Sequence, residues 1–273
     1  MTRGDIMPQE KITINTLQEM KKNGEKITML TAYDSLMASQ IDESGIDMIL
    51  VGDSVANVLL GYDNTIPATM EQMLHHSRAV SRAVKRALIV GDMPFMSYQV
   101  SAGEAVRNAG RFLKEARVEA VKLEGGSEVS GIIKKITGAG IPVMGHLGLT
   151  PQSVHKFGGY GVRGEAGSEA QKITEDARGL EEAGAFAVVL EKIPAALAAK
   201  ITKTLRIPTI GIGAGVDCDG QVLVTHDMLG MFEKFKPKFS KRYAELAVEA
   251  KAAYKEYIKE VKEKKFPAEE NSY

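Results

Sequence analysis

The chain has 273 residues and is short of several things whose absence narrows its function. It has a single cysteine, Cys218, so no internal disulfide framework can brace it, which suits a reducing cytoplasm. No stretch of about 18 consecutive apolar residues occurs, so no membrane span is expected. The opening MTRGDIMPQEKITINTLQEM has no apolar core of the kind a secretory leader needs, and a cytoplasmic protein is expected. Charge of one sign is also missing: Lys+Arg and Asp+Glu are both 35, for a formal net charge of zero. Without a basic excess to neutralise phosphates, a nucleic-acid partner is not expected. Tryptophan is absent and aromatics are sparse, which decides nothing about chemistry.

What the chain does have is a recurring apolar run that ends in an ionisable residue. The five runs are MILVGDS with Asp53, ALIVGDMPF with Asp92, AVKLEGG with Lys122 and Glu124, IPVMGHLG with His146, and FAVVLEKI with Glu191. Runs this apolar suit strands buried on both faces, as in a parallel sheet. Ionisable groups are costly there unless they coordinate, pair or react. Several of them, each just before the chain leaves its strand, predict one shared site.

Strands are expected near 27–33, 48–54, 87–93, 120–125, 141–147, 186–192, 208–213 and 221–224. Amphipathic helices are expected at 34–45, 70–85, 101–117, 127–139, 168–183 and 194–205. Gly45, Gly140 and Gly184 fall where a left-handed residue would end a helix before the next strand. Eight βα units predict an α/β fold of the (β/α)8, or TIM, barrel kind, a single domain over 1–273. The rival, an open doubly wound sheet, would carry a glycine-rich turn after its first strand, and TAYDSLMASQ has none. Residues 12–23 read as an extra helix covering the barrel bottom, and 241–264 as a long Lys/Glu-rich C-terminal helix. Two long loops, 55–69 and the glycine-rich 148–167, leave the C-terminal barrel face, where barrel enzymes place their sites. The second suits a mobile lid.

Asp53 and Asp92 follow nearly superimposable stretches, ILVGD and LIVGD, so their carboxylates should project from neighbouring strands at similar height. Glu124 lies on the next strand. Hard carboxylate oxygens suit Mg2+; the plainer reading makes each aspartate a helix cap. Lys122 lies two residues before Glu124 and so shares its face, where it could balance charge or hold an anionic substrate, or simply form an ion pair. His146 is suited to meeting a developing oxyanion or to filling a satisfied core position. Glu191 is placed for a general base; a pair with Lys192 is geometrically poor because adjacent strand residues point opposite ways. GIGAG at 211–215 fits either a phosphate cradle or close packing. His75, His76, His155 and His226 are assigned no chemistry.

Taken together, TAYD (31–34), GIDMILVGDS (45–54), GYDNTIPATMEQMLHH (61–76), VKLEGG (121–126), GHLGLTPQSVHKFGGYGVRG (145–164) and IPTIGIGAGVDCDGQVLVTHDMLG (207–230) resemble the ketopantoate hydroxymethyltransferase family over nearly the whole chain. The resemblance implies a Mg2+-dependent (β/α)8 barrel that assembles as a homodecamer. It also implies transfer of a one-carbon unit from 5,10-methylenetetrahydrofolate to 3-methyl-2-oxobutanoate. Carried onto matching positions, it makes Asp53, Asp92 and Glu124 the metal set, with Glu124 direct or through water. Asp53, Ser54, Asp92, Lys122 and His146 become the substrate-binding set, and Glu191 the proton acceptor. Ala56-Asn57 and Val216 depart from the pattern, which commonly has Gly-Met and Pro or Asn there. The competing expectation is a Mg2+-dependent lyase or mutase of the phosphoenolpyruvate and oxo-acid type. A phosphate-binding isomerase barrel is a further rival.

Overall fold

The structure, a computed structural model, describes residues 10–233 and 237–273; residues 1–9 of the stretch inspected for a leader lie outside them. The chain divides into two compact units, Met1–Leu223 and Val224–Tyr273. All eight barrel strands lie in the first unit. Its strands are β1 (Ile27–Thr31), β2 (Met48–Val51), β3 (Leu88–Asp92), β4 (Ala120–Glu124), β5 (Val143–Gly148), β6 (Ala187–Glu191), β7 (Thr209–Ile212) and β8 (Gly220–Leu223). All pair in parallel, each with its neighbour in sequence, and β8 returns to β1 to close the barrel. Among the described residues no helix is long and apolar enough to cross a membrane.

Period-two alternation sorts the strand side chains. Ile89, Val121, Leu123, Val143, Val188 and Leu190 pack with helix residues such as Phe112, Ile133 and Leu180 in one core cluster. The intervening Val90, Lys122, Glu124, Met144, His146 and Val189 therefore face the lumen. Gly91, on the outer face just before Asp92, allows the helix Ala102–Ala116 to press close: a Cβ there would lie 2.5 Å from the Phe112 ring.

Local chemistry sets the helix limits. The helix Met70–Ser81 opens on a reciprocal Thr69–Gln72 capping box and stops short of the expected residue 85. The reason is Asp42, whose buried carboxylate accepts from the backbone N–H groups of Lys85, Arg86 and Ala87 and pulls that segment out of helical geometry. Gly45, Gly140 and Gly184 all sit at positive φ, as helix terminators should. The N-terminal helix Ile14–Asn23 buries Leu17, and its Lys21 reaches Asp219, just before β8, so it covers the barrel bottom.

That end carries its own carboxylates. Asp47 accepts from the Thr28 amide at 2.9 Å, Glu119 from the Ile89 amide at 2.7 Å and Asp219 from the Thr209 amide at 2.8 Å. Each acid immediately precedes one strand and accepts from the first or second backbone N–H of a neighbouring strand, pinning the strand starts in register.

The second unit contains the helix Leu246–Lys262, shorter than the expected 241–264. Tyr243 and Leu246 donate their backbone amides to Met228 and Leu229, which holds the chain out of helical geometry until residue 246.

Replacing Asp42 by Ala strips three backbone donors of their acceptor and should cost about 3 kcal/mol. Asp34→Ala, which removes only an exposed helix cap, should cost about 1 kcal/mol. Urea unfolding midpoints of the two variants test this order.

Candidate active site

The strand register brings the C-terminal acids together. Asp92 pairs with Lys122 across β3 and β4, Glu124 pairs with His146 across β4 and β5, and Glu191 lies at the end of β6 beside Gly148. Asp53 follows β2, where the chain turns inward, and its backbone amide donates to Asp92 Oδ2 at 3.0 Å. Far apart in sequence, the two aspartates are neighbours in space, and neither caps a helix. Ser54 occupies the N-cap of the short helix Val55–Val58, and the helix after β3 is capped by Ser101.

The lysine sits among the acids. Lys122 Nζ lies 2.8 Å from Asp92 Oδ1, 3.6 Å from Glu124 Oε1 and 3.2 Å from His146 Nδ1. His146 Nδ1 is 3.3 Å from Glu124 Oε1, and its Nε2 is 3.2 Å from Glu191 Oε2. Tyr33 and Ser54 share a hydroxyl hydrogen bond of 2.8 Å at the β2 side. Asp53, Asp92, Lys122, Glu124 and His146 are each below 7% exposed, while Glu191 is half-buried at the mouth.

Burial and mutual charge set the protonation of the cluster. Burial raises Asp53 well above the carboxylate range, and the charges of Asp92 and Glu124 push it further. Burial likewise raises Asp92, against the opposing pull of Lys122. Burial works against the charged form of Lys122, but the three acids outweigh it and raise its pKa. Glu124 feels the same burial, yet Lys122 and His146 bring it below its ordinary value. His146, opposed by burial and by Lys122, is pushed up to about 9 by its contacts with Glu124 and Glu191. The ring is thus an imidazolium at neutral pH, with one nitrogen facing each of two carboxylates.

The fit to a divalent cation follows from this donor set. Four carboxylates face two cations, and Asp92 Oδ1 and Glu124 Oε1 are buried oxygens that are ion-paired with Lys122 but make no hydrogen bond. Among the described residues, however, no three His, Cys, Asp or Glu side chains stand together as a ready metal cage. The arrangement suits an ion that takes one or two protein carboxylates and completes its shell with substrate and water, as Mg2+ does.

Other expectations resolve on geometry. The 148–167 loop is firmly held in its first part: Leu149, Thr150, Gln152 and Val154 are buried, while residues 159–162 are more exposed. In GIGAG, a Cβ on Gly215 would meet Ala195 at 2.5 Å and one on Gly211 would meet Cys218 at 2.9 Å, so close packing accounts for both glycines. Lys192 leaves Glu191 alone and donates instead to the Tyr160 carbonyl. His76 hydrogen-bonds the Tyr33 carbonyl at 2.8 Å. Sequence reasoning missed Gln152 and Tyr98. Gln152 is buried and hydrogen-bonded to Asp53, Glu124 and Tyr98. The one signal in the sequence was the position of Gln152 in GHLGLTPQS, four residues past the strand.

The folded pKa of His146 lies above its ordinary 6.5, so its contribution to stability is complete below that value and lost as pH rises through about 9. NMR of the ligand-free protein should find the His146 ring doubly protonated at neutral pH, and Glu191→Gln should lower its titration midpoint. A neutral ring at pH 7 would contradict the electrostatics described.

Comparison with known proteins bears on the same barrel. The family model for ketopantoate hydroxymethyltransferase matches residues 11–269. A 3-methyl-2-oxobutanoate hydroxymethyltransferase of Syntrophus aciditrophicus (strain SB) is 60% identical over 263 residues, 96% of this chain and 97% of that one. The protein of that name from Carboxydothermus hydrogenoformans is 57% identical over 264 residues, covering 97% and 96%. Among solved structures, 2,3-dimethylmalate lyase, a member of the PEP mutase/isocitrate lyase superfamily, superposes with TM-score 0.61 at 15% identity, covering 93% of this chain and 89% of that one. Phosphonopyruvate hydrolase in complex with oxalate and Mg2+ gives TM-score 0.61 at 14% identity, covering 95% and 93%. At such identities these structures are similar in fold alone. The chain belongs to the ketopantoate hydroxymethyltransferase family.

Proposed function

We propose that the protein transfers a hydroxymethyl group from 5,10-methylenetetrahydrofolate to 3-methyl-2-oxobutanoate, giving 2-dehydropantoate, and that it does so in the cytoplasm as a homodecamer. The observation that carries the chemistry is the contact between Glu191 and the imidazolium of His146, at the rim of a buried cluster of acids and one lysine.

Asp53 and Asp92, with Glu124 directly or through water, would hold Mg2+. When bound, the ion supplies Lewis acidity at the keto oxygen of the substrate. Lys122 keeps a fixed positive charge beside Asp92 and meets the substrate carboxylate, and Ser54, held by Tyr33, lines the same edge. His146 donates toward Glu191 and fixes its carboxylate at the mouth, where water and substrate can reach it. Glu191 removes the proton from C3, which is acidified by the adjacent ketone. The resulting enolate carbon attacks the methylene carbon of the folate. A C–C bond forms and both C–N bonds from that carbon to the folate break, one as the methylene bridge opens and the other as water supplies the hydroxyl oxygen; the proton from C3 and the one released by water go to the two folate nitrogens.

A lyase or mutase of the phosphoenolpyruvate type is supported by the shared fold only, at 15% identity or less. Such enzymes commonly rely on a reactive loop cysteine. Cys218 is fully buried beside Thr202 and Thr209, at the start of β7 and so at the opposite end of the barrel from the acids.

Four measurements test the proposal. Wild-type protein with Mg2+ should exchange the C3 hydrogen of 3-methyl-2-oxobutanoate with solvent deuterium, and product should form only when the folate is added. Product without folate would favour the lyase reading. Glu191→Gln should retain keto-acid binding but lose about 10²–10⁴-fold in exchange rate; undiminished exchange would remove Glu191 as the base. EDTA, or Asp53→Ala combined with Asp92→Ala, should abolish both exchange and product, and added Mg2+ should restore only the EDTA-treated protein. Mass determination in solution tests the decamer.

A further inference from the structure

Gln152 enters the mouth from the short 3₁₀ turn Pro151–Ser153 after β5, yet it reaches the exits of three other strands. Its carboxamide Nε2 donates to Asp53 Oδ2 and to the Met93 carbonyl, both at 3.0 Å. Its Oε1 accepts from the Tyr98 hydroxyl at 2.8 Å, and its backbone N–H donates to Glu124 Oε2 at 3.0 Å. Gln152 is 4% exposed and Tyr98 is 1% exposed, so water does not compete for these bonds.

The orientation of the amide is not free. The Met93 carbonyl can only accept, so the NH2 end must face it, and the same end then meets Asp53. Tyr98 closes the other side: its oxygen accepts from the Glu124 amide at 3.1 Å, and of the two acceptors its proton can reach, Gln152 Oε1 at 2.8 Å is nearer than the Glu124 carbonyl at 3.2 Å. Gln152 therefore holds one oxygen of Asp53 and one of Glu124, acids 71 positions apart whose strand exits flank that of β3. The remaining Glu124 oxygen faces Lys122 and His146.

We infer that Gln152 is a positioning residue for the cation site, a neutral brace that fixes which oxygens of Asp53 and Glu124 are presented inward. A charged residue would fail in this place. A lysine would cancel the negative charge a divalent ion needs, and a carboxylate would add to the repulsion that Asp53 already bears. A carboxamide supplies donors without changing the charge of the cluster. This inference rests on the reading of Asp53 and Asp92 as cation ligands, and hydrogen bonds of this outer kind typically govern about 10–100-fold in metal affinity.

The test is Mn2+ binding followed by electron paramagnetic resonance, without substrates, on the full chain carrying Gln152→Met or Tyr98→Phe. Near-ultraviolet circular dichroism and urea unfolding identify folded variants. Gln152→Met fills the same space, keeps the backbone bond to Glu124 and loses the bonds to Asp53 and Met93. Its Mn2+ dissociation constant should rise about 10–100-fold. Tyr98→Phe should weaken binding less, in the same direction, and carries the test if Gln152→Met does not fold. In turnover, excess metal should restore kcat of Gln152→Met toward wild type; a merely structural defect would lower the active fraction without moving the metal midpoint. A folded Gln152→Met with wild-type Mn2+ affinity would overturn this inference and leave the cation reading standing. A wild-type protein that takes up no Mn2+ would overturn the cation reading, and this inference with it.

Discussion

An imbalance of buried charge governs the functional end of this barrel. Asp53, Asp92, Glu124 and Glu191 share the mouth with Lys122 and His146, and five of these six groups are almost wholly cut off from water. Such a set cannot be stable with every acid ionised and uncompensated. The protein answers in two ways visible in its protonation: it raises the pKa values of Asp53 and Asp92, and it keeps His146 charged to about pH 9. A site whose groups hold protons this readily carries surplus negative charge, which a bound cation would offset. The same imbalance makes neutral donors such as Gln152 and the Asp53 amide useful, because they orient carboxylates without consuming the charge.

Acids serve the opposite end of the barrel differently. Asp47, Glu119 and Asp219 accept from backbone amides of neighbouring strands, and Asp42 gathers three more from the entry to β3. These bonds align strand starts, and strand starts fix the register that sets Asp92 beside Lys122 and Glu124 beside His146. The scaffolding acids and the chemical acids are thus linked through the ladder: a one-residue slip at the bottom would turn every lumen residue outward.

Much of this was legible from residues. Period-two alternation around Lys122 and Glu124 put both on the lumen face, and the paired ILVGD and LIVGD stretches foretold that Asp53 and Asp92 would meet. Lys192 goes to the Tyr160 carbonyl and Glu191 to His146, so the two do not pair. Gln152 was not legible. A glutamine in a glycine-rich loop looks like any solvated loop residue, and its side-chain partners are Asp53, Met93 and Tyr98, each more than 50 positions away in the chain. Nor could the early end of the helix Met70–Ser81 be read locally, because nothing in its own sequence stops it; the carboxylate of Asp42 does.

The sequence by itself determined the strands, their inward and outward faces, and which ionisable groups would end each one, since alternation and apolar density are properties of short segments. Tertiary structure alone decided which carboxylate oxygen faces which donor, how many acids compete for Lys122, and that His146 is charged. Those outcomes depend on distances of a few ångströms between distant segments in a water-poor interior, where an electrostatic interaction is strong enough to choose a protonation state.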